Sequence, residues 1–99
     1  MASYILTNKA IEDLSDIWNY TFDEWSETQA DKYYFLLLDF YQDLAEDAKL
    51  AKKYPDIADD IFGGRIWRHI IFFRRPKADR IEISRILHSS MDLKNRIDE

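Results

Sequence analysis

The sequence has 99 residues, no cysteine, and a formal net charge of −5 from 14 basic and 19 acidic residues. A chain of this length predicts one domain with one core, and the lack of cysteine excludes disulfides and thiolate metal sites. No apolar run approaches the ~20 residues that cross a bilayer, and residues 1–10 lack the basic flank and apolar core of a signal peptide. We therefore expect a soluble cytoplasmic protein with no membrane association.

The charge is distributed unevenly along the chain. Residues 1–61 contain five basic and fourteen acidic residues, a balance of −9, whereas residues 62–99 contain nine basic and five acidic residues, a balance of +4. A basic C-terminal half is suited to an anionic partner. The alternative is that the acidic residues are solvated carboxylates on helices, and the asymmetry alone does not decide between the two.

The first third of the chain predicts a short strand and a helix. Residues 4–7 are partly β-branched, and Asn8 is the predicted N-cap of the helix. Steps of three and four residues then place a set of apolar residues on one helical face, namely Ile11, Leu14, Trp18, Phe22 and Trp25. We expect this stripe, with its aromatic rings, to lie in the core.

A second helix follows with almost no spacer. Ser26 as N-cap and Gln29 three residues later match a capping box. A regular apolar stripe then comprises Ala30, Tyr34, Leu37, Tyr41, Leu44 and Ala48. The short connection predicts an antiparallel helical hairpin that packs on a sheet. Tyr33 and Phe40 lie off this stripe and are candidates for a surface that faces a partner.

The C-terminal half predicts strands. After the charged, irregular residues 49–60, Gly63-Gly64 is predicted to form a turn or bulge. Residues 70–73 (IIFF) are apolar on both faces, as expected of a central strand that is covered on both sides. The Pro-containing link 75–79 leads to a second strand, residues 81–87, in which apolar and polar residues alternate.

Together these elements predict an α+β fold with the order β-α-α-β-β-β. A helical hairpin packs on a small, mostly antiparallel twisted sheet. Residues 91–97 are predicted to form one or two helical turns or an extended arm.

Few residues in this chain are suited to catalysis. The sequence has no Gly-rich phosphate loop, HExxH or GxSxG motif, and neither His69 nor His88 has a carboxylate at ligand spacing, so we expect no metal and no cofactor. What remains is a basic set near the strand ends, comprising Arg65, Arg68, Arg74, Arg85 and His88. Guanidinium groups bind phosphates and carboxylates, and a histidine can act as acid or base. The alternative is that these arginines pair with local carboxylates and His88 satisfies a core hydrogen bond.

Two segments of the chain resemble a known family. The C-terminal segment RHIIFFRR…RIEISRILHSSMD and the N-terminal segment LTNKAIEDLSDIWNYTFDEWSETQADKYY are similar to the ParE toxins of the ParE/RelE superfamily of bacterial type II toxin–antitoxin systems. The resemblance covers about residues 4–93 and implies a single ParE/RelE-like toxin domain over residues 1–99. Two positions depart from the family pattern: Phe73 stands where tyrosine is common, and Trp67 stands where a glycine is typical of the turn.

The resemblance implies a growth-arresting toxin that is neutralised by a cognate ParD-like antitoxin. ParE toxins poison DNA gyrase, whereas RelE-like relatives cut ribosome-bound mRNA with basic residues of the sheet and often a C-terminal histidine or tyrosine. His88 lies in the corresponding region, but no tyrosine follows Tyr54 in this sequence. We therefore predict gyrase inhibition, with the five basic-set residues binding the target and with Tyr33 and Phe40 binding the antitoxin.

Two other functions stay open at this stage. One is a ribosome-dependent mRNA endonuclease in which His88, Arg85, Arg74 and Arg65 are catalytic. The other is an antitoxin-binding module that has lost toxicity. A nuclease requires its general base and its phosphate-binding groups to converge in one site, whereas a binding toxin needs only an exposed surface.

Overall fold

The computed structural model describes residues 2–89, in which two helices pack on one face of a five-stranded sheet. The elements are β1 Ser3–Leu6, α1 Asn8–Glu24, α2 Glu27–Glu46, a 3₁₀ turn Ala48–Leu50, β2 Lys52–Lys53, β3 Phe62–Ile66, β4 His69–Lys77 and β5 Arg80–His88. The strand order is β1-β5-β4-β3-β2, with β1 parallel to β5 and the other pairs antiparallel. The predicted fold class is confirmed, with β2 as an added edge strand. The tail predicted over residues 91–97 lies outside the described residues.

The two helix starts differ in how well they were predicted. Thr7, and not Asn8, is the N-cap of α1, because the Thr7 hydroxyl accepts the backbone N–H of Ala10 at 3.2 Å. The same hydroxyl donates to the carbonyl of Ser84 at 3.0 Å and so fixes the helix start to β5. At α2 the predicted cap is confirmed, since the Ser26 hydroxyl accepts the Gln29 N–H at 3.1 Å.

The predicted core stripe of α1 is wrong apart from Leu14. The inward face of α1 carries Ala10, Asp13 and Leu14, while Ile11, Phe22 and Trp25 are exposed and Trp18 is half-buried. The apolar spacing does not indicate which face of this helix turns toward the sheet. The inward positions include the small Ala10 and the ion-paired Asp13, which give no apolar signal in the sequence. Trp18 instead lies against α2, where its indole N–H donates to Asp31 at 3.1 Å.

The stripe of α2 and the central strand are confirmed. Most of the α2 stripe is buried, namely Ala30, Leu37, Tyr41 and Leu44, although α2 ends before Ala48. All four residues of the IIFF segment are buried in β4, which lies between β3 and β5. Ile71 and Phe73 join the core beneath the helices, whereas Ile70 and Phe72 pack on the opposite face. That second face is covered by the irregular chain around Tyr54–Ile61.

Gly63 and Gly64 do not form the predicted turn, because both lie within β3. A Cβ atom on Gly63 would come within 2.5 Å of the Tyr54 ring, and one on Gly64 within 2.5 Å of the Leu44 side chain. The glycines therefore permit close packing on both faces of the sheet. The turn that precedes the IIFF segment is instead at Trp67–Arg68, between β3 and β4. The predicted link 75–79 contains the β4–β5 turn at Ala78–Asp79, beyond an irregular stretch of pairing that includes Pro76.

Candidate functional site

The β3–β4 turn projects an aromatic and a basic side chain into solvent. Trp67 and Arg68 form this turn and are exposed, and 73% of Trp67 is accessible. Trp67 has a φ of 53°, in the left-handed region that favours glycine. The Arg65 guanidinium donates to the Trp67 carbonyl at 3.3 Å, and the Ser89 N–H donates to the Arg68 carbonyl at 2.8 Å. These bonds hold the turn in its strained conformation.

A cluster of three rings lies beneath the turn, on the helical face of the sheet. His69 begins β4 opposite His88 of β5, and the two imidazole rings meet edge to face at 5.6 Å. The Tyr33 hydroxyl, on α2, lies 2.7 Å from His69 Nδ1. The Tyr33 ring also contacts Trp67, with 6.4 Å between centroids. The sequence did not reveal this tyrosine beside a histidine, because the two residues are 36 positions apart in the chain.

The Tyr33–His69 pair is uncharged at neutral pH. Burial lowers the pKa of His69 to about 4, and the nearby His88 adds to that effect. Burial also raises the pKa of Tyr33 to about 12. At pH 7 neither group has a proton affinity suited to general acid–base transfer. The pair therefore acts as a neutral hydrogen bond that connects α2 to β4.

The residues predicted to bind the antitoxin are not the most exposed ones. Tyr33 is half-buried and hydrogen-bonded to His69, and Phe40 is half-buried against the helix-side core. Each residue keeps part of its surface accessible. Their role in antitoxin binding stays a prediction, while larger apolar areas are exposed elsewhere on the helices.

Arg65 and His88 lie on opposite faces of the sheet. Arg65 is opposite Ile70, and cross-strand partners share a face, so Arg65 lies on the face that points away from the helices. His88 is opposite His69, whose ring contacts α2 on the other face. The sheet therefore separates the Arg65 guanidinium from the imidazole of His88.

Arg74 lies toward the far end of β4. It lies five positions beyond His69, or ~17 Å along an extended strand. Its guanidinium pairs with Asp60 at 2.9 Å and donates to the Ser84 hydroxyl at 3.3 Å. Arg74 and the rings at the β3–β4 end therefore do not form one site.

Arg85 takes part in a buried ion pair between α1 and β5. Its Nε and Nη2 atoms donate to the two carboxylate oxygens of Asp13 at 2.8 and 3.1 Å. The side chains are only 11% and 12% exposed. Asp13 also accepts the backbone N–H of Ile86 at 3.0 Å. For Arg74 and Arg85, pairing with local carboxylates, the alternative considered from the sequence, is what the structure contains.

A shallow basic depression, which sequence analysis did not identify, lies on the face of the sheet away from the helices. It has a volume of about 310 Å³ and is lined by Lys49, Leu50, Ala51, Lys52, Tyr54, Gly63, Arg65 and Ile70. Of these, only Arg65 belonged to the predicted basic set. Lys49 and Lys52 lie in residues 49–60, for which the sequence predicts an irregular segment and no binding role. We refer to this site as the basic depression.

Residues 2–89 contain neither a candidate metal site nor a candidate membrane-spanning helix. Within residues 2–89, no group of three or more His, Asp or Glu side chains is placed to hold a metal ion. No helix in that range combines the length and apolarity needed to cross a membrane.

Comparison with known proteins gives consistent matches along nearly the whole chain. The family model described as ParE toxin of type II toxin-antitoxin system, parDE, matches residues 4–93. The chain is 30% identical to Toxin ParE1 of Caulobacter vibrioides over 92 residues, covering 93% of this chain and 94% of that toxin. It is 27% identical to Toxin ParE1 of Mycobacterium tuberculosis over 90 residues, covering 91% and 92% of the two chains. A solved structure described as the chromosomal ParDE TA system from P. aeruginosa superposes with a TM-score of 0.72 at 23% identity, covering 89% of this chain and 96% of that one.

Proposed function

Because the chain belongs to the ParE toxin family of type II toxin–antitoxin systems, we propose that it arrests growth by binding DNA gyrase and that a cognate ParD-like antitoxin neutralises it. The family assignment rests on a match that covers 90 of the 99 residues, 4 to 93. The resemblance to ParE toxins that poison gyrase supports gyrase as the target. Such a target would place the protein in the cytoplasm.

The dispersal of the basic set is the observation that carries this proposal. A phosphodiester-cleaving site needs a base and charge-stabilising groups around one reacting atom. Here Arg65 and His88 lie on opposite faces, Arg85 is buried against Asp13, and Arg74 pairs with Asp60. That arrangement favours inhibition by surface contact over catalysis.

The proposed target-binding surface contains two of the five residues predicted from the sequence, and the other three act on it indirectly. Arg65 and Arg68 are its exposed members and are free of ion pairs within residues 2–89, so they are suited to direct contact. Arg74, Arg85 and His88 would contribute mainly by fixing the sheet and the β3–β4 turn. The exposed indole of Trp67 extends the surface with an aromatic group of the kind enriched at binding hot spots.

For the antitoxin, the helical hairpin offers more apolar area than Tyr33 and Phe40 alone. Large exposed apolar side chains on α1 and α2 are Ile11, Tyr20, Phe22, Trp25, Phe35 and Leu36. Contiguous exposed apolar patches mark interaction surfaces on soluble proteins. We propose that the antitoxin covers this surface together with the accessible edges of Tyr33 and Phe40.

A RelE-like mRNA endonuclease is the second candidate. The observation in its favour is the Tyr33–His69–His88 cluster, which brings a phenol close to two imidazoles. The low pKa of His69 counts against it, because that ring is not protonated at pH 7 and cannot serve as a general acid.

Parallel assays on both targets test the proposal. Purified protein is added to DNA gyrase in a supercoiling assay and to translating ribosomes in an mRNA cleavage assay. We expect inhibition of supercoiling, a modest loss with His88→Gln, and a larger loss with Arg68→Gln. For a nuclease that depends on His88, the Gln variant should cut about 10²- to 10⁴-fold more slowly. Site-specific mRNA cuts that vanish in His88→Gln, with supercoiling untouched, would overturn the gyrase proposal in favour of the nuclease.

A further inference from the structure

The basic depression gathers three cationic side chains on a protein whose overall charge is negative. Lys49 and Lys52 border it from the chain that follows α2, and Arg65 borders it from β3. No ion pair joins any of the three to a carboxylate in the described part of the chain. This distinguishes them from Arg74 and Arg85, which are neutralised by Asp60 and Asp13.

The floor and walls of the depression are fixed by packing. The missing side chain of Gly63 leaves the space that the Tyr54 ring occupies, and a Cβ atom there would come within 2.5 Å of that ring. Tyr54 in turn packs edge to face on the buried Phe72, with 5.1 Å between centroids. The shape therefore exists without a ligand and is anchored in the core of the second face.

The surroundings favour a peptide carboxylate over a nucleic acid. The Lys52 ammonium lies 5.1 Å from the centroid of the Tyr54 ring, and Phe72 contacts the same ring, so it is not open for base stacking. Leu50 is exposed at the rim and offers an apolar contact beside the charges.

We infer that the basic depression binds an acidic side chain of the antitoxin, whose carboxylate meets Lys52 and Arg65 while a neighbouring apolar residue contacts Leu50. The inference rests on the proposed neutralisation by an antitoxin and adds a second contact on the face of the sheet opposite the helical hairpin. An antitoxin segment that reaches it must pass around the sheet. The chemistry required is an Asp or Glu next to an aliphatic residue.

The test uses the C-terminal segment of the cognate antitoxin as a synthetic peptide and the intact toxin chain. Lys52→Gln and Arg65→Gln remove one charge each at exposed positions, so the fold should be retained, and thermal unfolding verifies it. We expect each to weaken peptide binding by about 3- to 30-fold in calorimetry, a range typical of lost interfacial charge pairs. The matched controls Lys77→Gln and Arg80→Gln lie at the exposed β4–β5 turn and should change binding less than about twofold.

A complementary series changes the peptide and leaves the toxin intact. Each Asp or Glu of the peptide is replaced by its amide and measured against wild-type and Arg65→Gln toxin. At one peptide position the amide replacement should weaken binding to the wild-type toxin but not to the Arg65→Gln toxin, which identifies the carboxylate that pairs with Arg65. Binding that is equally strong in Lys52→Gln, Arg65→Gln and the controls would overturn the inference while leaving antitoxin binding intact. If the same variants lose binding to a single-stranded RNA and bind the peptide unchanged, the basic depression is a nucleic-acid site and the inference is overturned. If wild-type toxin does not bind the antitoxin at all, the proposed neutralisation itself fails.

Discussion

Trp67 combines exposure with a backbone conformation that is costly for its residue type. Its φ of 53° is the region in which L-residues with a Cβ atom lose about 1 kcal/mol or more relative to glycine. The ring is largely in solvent and contacts the ring of Tyr33. Strain at an exposed aromatic residue is better explained by a partner contact than by folding.

We predict that Trp67→Gly is more stable than Trp67→Ala by about 1 kcal/mol, because both lack the indole and only glycine adopts this turn without strain. Urea unfolding of the two variants measures the difference directly. If the indole contacts the target, both variants should lose inhibition to the same extent. Equal stabilities would mean that the turn does not hold the left-handed conformation in solution.

The hydrogen bond between Tyr33 and His69 could not be predicted from the sequence. Their hydrogen bond depends on how α2 lies across the sheet, and no spacing rule connects positions so far apart. Thr7 illustrates a smaller error, since two adjacent residues can both cap a helix and only the backbone geometry decides. The members of the basic set could be identified from the sequence, but their positions relative to one another could not. Those positions follow from strand register and from the alternation of side chains between the two faces of the sheet.

At the scale of elements, predictions succeeded where the pattern of apolar residues matches the pattern of burial. The α2 stripe was predicted because its buried positions recur with the period of a helix. The IIFF strand was predicted because a short continuous apolar run is typical of a strand that is covered on both faces. Prediction failed for α1, where the inward face carries Asp13 and the outward face carries tryptophan. A buried carboxylate is rare, and it is possible here only because Arg85 and the Ile86 N–H satisfy it.

The Asp13–Arg85 pair should be the polar contact on which docking of α1 depends most. We predict that Asp13→Ala lowers the free energy of unfolding by about 3–5 kcal/mol, because it removes the carboxylate that pairs with a buried guanidinium and accepts the Ile86 N–H. Asp60→Ala, which breaks the exposed pair with Arg74, should cost no more than about 1 kcal/mol. Chemical denaturation of the two variants gives the comparison.

A further double variant separates the charge from the packing. Replacing the pair together, as Asp13→Leu with Arg85→Met, removes both charges and should recover much of the stability lost in Asp13→Ala. If Asp13→Ala and Asp60→Ala cost the same, the ion pair between α1 and β5 is not buried in solution.

At the scale of the whole molecule, charge and apolar surface are segregated in a way that suits one long partner. The helical hairpin carries most of the large exposed apolar side chains. Lys49, Lys52 and Arg65, which have no ion pair within residues 2–89, border the opposite face of the sheet. An antitoxin with an apolar helix-binding part and an acidic extension would match both surfaces. The hairpin would then supply most of the buried area, and the basic depression would mainly steer the approach.

Association with the antitoxin should therefore depend on salt more strongly than dissociation does. Raising ionic strength from about 0.15 M to 1 M shortens the screening length from about 8 Å to about 3 Å, which removes the long-range attraction between exposed charges. Contacts at the apolar hairpin are largely insensitive to that change, so the dissociation rate should vary less. Stopped-flow mixing with the antitoxin peptide at several salt concentrations measures both rates. In a toxin that carries both Lys52→Gln and Arg65→Gln, the association rate should depend less steeply on salt. The matched control carries Lys77→Gln and Arg80→Gln, which remove the same number of charges at the β4–β5 turn. An association rate that stays constant across the salt series would mean that the cations of the sheet do not guide the antitoxin.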